Sequence, residues 1–86
     1  MQMDWQTYLL RCSDGSLYCG VTRDIDSRLT KHNQGKASKY TRSRLPVELA
    51  AIRQNLSKSE AYRLEQYIKT LPAGKKISAL KNRPTG

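Results

Sequence analysis

The sequence has few cysteines, no long apolar run and little acidic charge, and each shortage excludes a class of protein. Its two cysteines, Cys12 and Cys19, are too few for a disulfide scaffold and lack the CxxC spacing of a zinc site. The N-terminal stretch MQMDWQTYLL has neither the basic start nor the apolar run of a signal peptide. No segment approaches the ~18 apolar residues of a transmembrane helix. We therefore expect a cytoplasmic protein with two free thiols and no membrane association.

The chain is also short, since its 86 residues suffice for one domain only. A chain of this size buries roughly 60–65% of its unfolded surface, so the core is small. Functional residues must then share space with the scaffold. We expect a single domain over residues 1–86, with residues 81–86 as a frayed tail.

Acidic side chains are scarce, with 7 Asp and Glu against 16 Lys and Arg, and the net charge is +9. Residues 1–30 hold three basic and four acidic side chains, whereas residues 31–86 hold thirteen basic and three acidic. A charge excess of this size attracts polyanions. Nucleic acid is the leading partner, an acidic membrane surface the second, and a charge that serves solubility alone is the plainest alternative.

Two stretches rich in β-forming residues, 5–12 and 16–22, flank an Asp-Gly turn signal and predict a β-hairpin. The turn is either a two-residue loop or a three-residue loop with Gly15 in the left-handed conformation. Because a shift of one residue exchanges the two faces of a strand, the loop length decides which side chains lie together.

The three-residue loop pairs Leu10 with Tyr18 and Tyr8 with Gly20. Both tyrosines then share one face of the hairpin, and Gly20 leaves room beside the Tyr8 ring. The two cysteines point to opposite faces in this register and cannot form a disulfide. The two-residue loop would place the tyrosines on opposite faces, and we expect the three-residue loop.

A helix should follow the hairpin, with Asp24 as its N-cap and Gly35 as its stop. Arg28 and His32 are four residues apart and stack on one face of it. The next stretch, 36–46, is a short helix or an ordered loop in which four cations surround one aromatic residue. These residues are Lys36, Lys39, Arg42, Arg44 and Tyr40.

The second half of the chain predicts a third strand over residues 47–52 and two more helices. Ser57 and Glu60 form a capping box for a helix that runs to about Thr70. Residues 73–80 predict a short final helix. The fold class is therefore α/β (α+β), a small antiparallel-type sheet made of the N-terminal hairpin and a third strand, flanked by three to four helices.

The types of residue needed to cleave a phosphodiester bond all occur at suitable places in this order of elements. Such a site needs a cation for the charge that builds on the phosphate, a carboxylate for a metal ion, and a group that positions the attacking water. The candidates are Arg28 for the cation, Glu65 for the carboxylate, and Tyr8, Tyr18 and His32 for the water.

Each candidate also has a plainer interpretation. Arg28 could be a solvated helix arginine, and Glu65 could be the i,i+4 partner of Lys69. Tyrosines in strands commonly serve packing. A single histidine near the end of a helix, such as His32, is more often a surface residue than a catalyst.

The order of these residues resembles the GIY-YIG nuclease family over nearly the whole chain. QTY at 6–8 and YCG at 18–20 stand where the two name-giving β motifs are expected, although the Gly and Ile of the first motif are absent. Arg28 matches the family's helix arginine, and His32 matches a Tyr or His one turn later. EAYRLE places the family's glutamate at Glu65. The likeness is greatest to small stand-alone bacterial members.

The resemblance implies a metal-dependent DNA endonuclease, with structure-selective cleavage in DNA repair or recombination as the expected role. One Mg²⁺ or Mn²⁺ ion would bind Glu65, Arg28 would contact the scissile phosphate, and Tyr18 or Tyr8 would orient or deprotonate water. His32 would share the phosphate or the proton. The nucleic acid would be held by Lys31, Lys36, Lys39, Arg42 and Arg44, with Tyr40 stacking on an exposed base.

Two alternatives remain at this point. The chain could be a nucleic-acid-binding module, for DNA or RNA, with little or no catalysis. It could also be a basic protein-interaction domain without a nucleic-acid role. We expect no second domain that selects a target, so selectivity would come from the segment GKASKYTRSR or from a protein partner.

Overall fold

The structure is a computed structural model that describes residues 3–82. It confirms the predicted fold class, a three-stranded antiparallel sheet with helices on both sides. In chain order the elements are β1 (Trp5–Arg11), β2 (Leu17–Thr22), α1 (Ile25–Asn33), α2 (Lys39–Arg42), β3 (Glu48–Leu56), α3 (Lys58–Lys69) and α4 (Ala73–Asn82). The strand order is β2-β1-β3, so β1 is central and β2 lies at an edge.

The hairpin has the predicted three-residue loop. Gly15 has a φ of 85°, which is the left-handed region that glycine enters without steric cost. Leu10 pairs with Tyr18 and Tyr8 pairs with Gly20, so the two tyrosines share a face. A Cβ atom built on Gly20 would lie 2.6 Å from Cζ of Tyr8. The absence of a side chain at Gly20 is therefore what makes room for the Tyr8 ring.

The third strand is longer than predicted, since β3 covers Glu48–Leu56 rather than 47–52. The second half of β3 is polar, so the hydrophobic pattern did not predict it, but its backbone pairs with the start of β1. Arg53 lies opposite Thr7 and Leu56 lies opposite Trp5. The pairing with β1 supplies the hydrogen bonds that the polar sequence did not indicate.

Side chains on the two faces of the sheet form two separate cores. The core between the sheet and helices α3 and α4 contains Leu9, Cys19, Ala51, Leu56, Ala61, Leu64, Ile68 and Leu80. The face beneath α1 buries Tyr8, Leu10, Cys12 and Val47, with Tyr18, Ile25 and Leu29 packed against them. The two cysteines are free and lie in different cores, as predicted.

The predicted helix signals are borne out by the structure. The carboxylate of Asp24 accepts a hydrogen bond from the Ser27 backbone N–H, and Ser57 and Glu60 form the capping box. The basic stretch folds as the short helix α2, the first of the two forms considered for it. Among residues 3–82, no helix is both long and apolar enough to cross a membrane.

The last helix, α4, extends two residues beyond the predicted 73–80. The Arg53 guanidinium donates hydrogen bonds to the carbonyl oxygens of Leu80 and Lys81, at 2.9 and 3.3 Å. Carbonyl groups at a helix end otherwise lack partners, so these bonds secure the final turn. The expected tail, 81–86, thus overlaps the helix at its first two positions, and residues 83–86 lie outside the described residues.

Candidate active site

The cation and the carboxylate predicted for the site come from helices on opposite faces of the sheet. Arg28 is on α1, which packs on the Tyr8 face, whereas Glu65 is on α3, which packs on the Cys19 face. Burial is the main cause of the raised pKa of Tyr8, and among the smaller causes the charge of Arg28 lowers that pKa and the charge of Glu65 raises it. Both charges therefore reach the neighbourhood of Tyr8.

Tyr8 is the buried centre of this neighbourhood. It is 1% exposed, and its hydroxyl lies 3.0 Å from Nε2 of His32. Burial raises the pKa of Tyr8 well above its usual value, and the nearby Tyr18 raises it further. Tyr8 therefore stays protonated and out of contact with solvent. Of the two tyrosines, it is the less suited to take a proton from water.

His32 is buried as well, with 1% exposure, so the interpretation of this residue as a surface histidine is wrong. Its second ring nitrogen, Nδ1, lies 2.8 Å from the hydroxyl oxygen of Thr41. Because that hydroxyl also donates to the Ser38 carbonyl at 3.4 Å, we assign the ring proton to Nδ1. Nε2 then accepts a hydrogen bond from the Tyr8 hydroxyl, and Tyr8, His32 and Thr41 form one chain of hydrogen bonds.

The same surroundings set the charge of His32. Burial lowers the pKa of the imidazole, and the positive charge of Arg28 lowers it further. The ring is therefore neutral at physiological pH, the state that its two hydrogen bonds require.

Tyr18 lies on the solvent-accessible side of this chain of hydrogen bonds. Its ring centroid is 5.2 Å from that of His32 and 6.5 Å from that of Tyr8. Tyr18 is only partly buried, and its hydroxyl makes no hydrogen bond to any residue within 3–82. Of the two predicted tyrosines, Tyr18 is thus the one whose hydroxyl is open to a water molecule.

Tyr40 and Arg44, both predicted to contact nucleic acid, also contact the protein itself. The Tyr40 ring stacks on Tyr18 with centroids 6.0 Å apart, and the Arg44 guanidinium lies 3.9 Å from the Tyr40 centroid. Arg44 also donates to the Asp14 carboxylate at 3.0 Å and to the Tyr40 carbonyl at 2.9 Å. A base could stack on that face of Tyr40 only by displacing Arg44.

The other predicted contacts form an exposed cationic surface beside Tyr40. Lys36, Lys39 and Arg42 line an open cavity of about 350 Å³ with Gly35. All three cations are exposed, as is Lys31 on the preceding helix. Side chains of this kind are free to meet phosphate groups.

Glu65 forms the ion pair of its plainer interpretation. Its carboxylate lies 3.4 Å from the Lys69 ammonium, as an i,i+4 pair, and its side chain is only 13% exposed. It also lies close enough to β2 to act on Cys19, whose pKa is raised to about 12 by burial first and by Glu65 second. The ion pair and the place near the site are therefore compatible.

The ligand groups of the site suit a metal ion whose other ligands come from the substrate. Within residues 3–82 no group of three or more His, Cys, Asp and Glu side chains could hold a metal ion. Mg²⁺ is commonly held by one or two carboxylates, completed by substrate phosphates and water. The single carboxylate of Glu65 fits that mode, whereas a tightly bound structural ion would need more ligands.

Two residues of this neighbourhood were missed by the sequence reasoning. Thr41 orients His32, and Asp14 holds Arg44 against the hairpin turn. Neither position carries a sequence signal for its partner, because the contacts span nine and thirty residues and form only in the fold. The Ser38 N-cap was a local hint that Thr41 lies in a helical turn.

Comparisons with known proteins agree over most of the chain. A family model described as the GIY-YIG catalytic domain matches residues 4–77. A UPF0213 protein from Nitratidesulfovibrio vulgaris is 46% identical over 76 residues, which cover 88% of this chain and 69% of that protein. A UPF0213 protein from Staphylococcus aureus is 45% identical over 76 residues, covering 88% and 93% of the two chains.

Two solved structures are similar in fold and sequence. The solution NMR structure of a UPF0213 protein from Bacillus halodurans has a TM-score of 0.56 and 43% identity, covering 92% of this chain and 84% of that one. The solution NMR structure of an E. faecalis protein has a TM-score of 0.62 and 36% identity, covering 94% and 88%.

Proposed function

This chain belongs to the GIY-YIG family, a family of nucleases, and from that premise we propose that it is a divalent-metal-dependent DNA endonuclease. One observation carries the proposal. Tyr8, Tyr18 and His32 pack with ring centroids 5.2 to 6.5 Å apart, and Arg28, whose side chain is only partly buried, lies one helical turn before His32. A scissile phosphate bound at Arg28 would then lie beside the Tyr18 ring, and Glu65 would complete the cation and carboxylate pairing that phosphodiester hydrolysis requires.

Arg28 is proposed to bind the scissile phosphate. Its guanidinium can donate two parallel hydrogen bonds to phosphate oxygens, and it remains charged at any working pH. Arg28 is only partly buried, so the side chain is accessible from solvent. It would stabilise the negative charge that grows on the phosphate in the transition state.

Tyr18 is proposed to orient the attacking water and to receive its proton. Its hydroxyl is unbonded within the described residues, whereas the Tyr8 hydroxyl is buried and donates to His32. Tyr8 and His32 are then positioning residues, because their rings pack against Tyr18 at 6.5 and 5.2 Å. Thr41 and Tyr40 support the same arrangement from α2.

Glu65 is proposed as the residue that holds one Mg²⁺ or Mn²⁺ ion. When bound, such an ion would neutralise phosphate charge and stabilise the leaving oxygen. The contribution of the protein is a carboxylate that is largely shielded from water, and Lys69 neutralises this carboxylate in the free protein.

The exposed cations Lys31, Lys36, Lys39 and Arg42 are proposed to hold the nucleic-acid backbone. Contacts of this type fix position but do not read sequence. Selection of a branched or damaged target, and any place in DNA repair or recombination, would then depend on the shape of the DNA or on a partner protein. We propose the cytoplasm as the place of action.

The proposal is tested by cleavage of labelled single-stranded, duplex, flap and branched DNA with Mg²⁺ or Mn²⁺. Arg28→Ala and Glu65→Gln should each lower the cleavage rate by at least about a hundredfold, because each removes a contact to the charged transition state. The matched controls are Arg63→Ala and Glu48→Gln, which change exposed residues elsewhere and should cleave like wild type. If Arg28→Ala and Glu65→Gln cleave as fast as these controls, the proposed site is wrong.

The Glu65–Lys69 ion pair favours a second candidate function, a DNA- or RNA-binding module without useful catalysis. In that case the carboxylate would serve the helix rather than a metal ion. Wild-type protein would then bind nucleic acid with a steep salt dependence but would cleave none of the substrates in either metal.

A further inference from the structure

A second cluster of aromatic and basic side chains lies outside the site described above. The ring centroids of Trp5 and Tyr62 are 5.9 Å apart, with planes inclined at 49°. Lys58 Nζ lies 5.7 Å and Arg23 Cζ 5.8 Å from the Trp5 ring centroid. We call these four residues the Trp5 surface. It lies where β1 and α3 begin and β2 ends.

Tyr62 is the most exposed ring of this cluster. It is 44% exposed, whereas Trp5 is partly buried and packs against the core beneath α3. A ring as open as Tyr62 adds little to the core, so its place beside a second aromatic ring and two cations calls for a different role. Asp4 is an acidic side chain of this surface and pairs with Arg23. Lys58 keeps the surface positive.

The Trp5 surface lies beside the Glu65 part of the proposed active site, on the α3 face of the sheet. Tyr62 precedes Glu65 by three residues on α3, so the two side chains are neighbours on one side of the helix. Along the strand axis of β1, Trp5 is five positions, or about 17 Å, from Leu10, the residue opposite Tyr18; Trp5 packs on the α3 face of the sheet and Tyr18 on the α1 face. At about 3.4 Å per nucleotide, that length spans about five nucleotides of a stacked strand.

We propose that the Trp5 surface binds an unpaired base of the nucleic-acid strand that leaves the active site. The base stacks on Tyr62 and Trp5 while Lys58 and Arg23 contact the neighbouring phosphates. Aromatic side chains of this kind stack on single-stranded bases without regard to sequence, whereas the bases of a duplex keep their faces covered. The proposal rests on the proposed function and adds to it a preference for single-stranded segments or strand ends.

Trp5 is the one tryptophan of the chain, so its fluorescence reports directly on this surface. Single-stranded DNA of about ten nucleotides, twice the estimated span, is titrated with two readouts in parallel. These are the anisotropy of a label on the DNA and the emission of Trp5. We expect the emission to be quenched over the same concentration range in which the anisotropy rises. An anisotropy rise with unchanged emission overturns this inference alone, whereas no binding to any DNA overturns the proposed function.

Substitutions separate stacking from charge. Tyr62→Ala should weaken single-strand binding about five- to tenfold and leave binding of a duplex of equal length within about twofold, whereas Tyr62→Phe should bind like wild type. Tyr67→Ala is the matched control, because Tyr67 is a similarly exposed tyrosine of α3. Lys58→Ala should reduce the slope of log K against log salt by about one. Equal effects of Tyr62→Ala and Tyr67→Ala would overturn the proposal.

Discussion

The hydroxyl of Tyr8 lies 3.0 Å from Nε2 of His32, and each side chain is 1% exposed. The bond joins the first strand to the end of the first helix, across 24 residues. Because both groups are polar and buried, each depends on the other for its hydrogen bond. The two rings give Tyr18 a fixed surface to pack against. The Tyr8–His32 pair therefore connects the stability of the fold to the proposed chemistry.

Gly20→Ala should destabilise the fold, because the added Cβ would lie 2.6 Å from Cζ of the buried Tyr8 ring. Overpacking of this kind costs about 1–3 kcal/mol. Urea unfolding followed by circular dichroism measures the loss. Gly74→Ala is the control, since its added Cβ meets nothing within 4 Å. It should leave stability unchanged or raise it slightly. Equal stability of the two variants would contradict the packing described for Tyr8.

The stability of the protein should fall as the pH drops below about 6.5 because of His32. Burial and Arg28 hold the pKa of His32 below its ordinary value, so the unfolded chain binds a proton more readily than the folded one. The stabilising contribution of the neutral ring is complete above pH 6.5 and is lost as the pH falls through the lowered pKa. The free energy of unfolding is measured between about pH 5.5 and 7.5, where histidine is the side chain that ordinarily titrates.

His32→Gln provides the test of that assignment, since His32 is the one histidine of the chain. The variant should be less stable at neutral pH, because the hydrogen bonds with Tyr8 and Thr41 are disturbed. Its stability should, however, be flat over the same pH range. A slope equal to that of wild type would show that other groups cause the pH dependence.

Lys69→Ala should lower the Mg²⁺ concentration that gives half-maximal cleavage by up to about fivefold. The Lys69 ammonium lies 3.4 Å from the Glu65 carboxylate and competes with a metal ion for it. Pairs of this kind on a helix, with the lysine exposed, are worth about 0–1 kcal/mol, which sets the size of the effect. Lys75→Ala, an exposed lysine on α4, is the control. An unchanged or higher Mg²⁺ requirement in Lys69→Ala would argue against metal binding at Glu65.

Arg42 and Arg44 should behave differently although both lie in the basic segment. Arg42→Ala should reduce the salt slope of DNA binding by about one and leave thermal stability unchanged, because Arg42 is exposed beside the cationic cavity. Arg44→Ala should lower stability by about 1 kcal/mol or less, since Arg44 ties Asp14 and the Tyr40 carbonyl together. Binding assays over a salt series and thermal unfolding distinguish the two. Identical behaviour would contradict the separate roles.

Local sequence patterns predicted the turn and the helix N-termini. The turn at Gly15, the Asp24 cap and the Ser57 capping box were all readable because each depends on residues close in sequence. The hairpin register also followed, since loop length decides which residues face one another. The polar second half of β3 was not predicted from the sequence, because Arg53 and its neighbours belong to the strand only through their pairing with β1.

The sequence by itself determined the fold class, the shared face of Tyr8 and Tyr18, the i,i+4 relation of Arg28 and His32, and the family likeness. The tertiary structure alone decided that His32 is buried and bonded to Tyr8 and Thr41, that Arg44 covers Tyr40, and that Glu65 approaches from the other face of the sheet. Periodicity describes one element at a time. Burial, hydrogen-bond partners and the meeting of charges depend on how distant elements pack, which only the folded chain establishes.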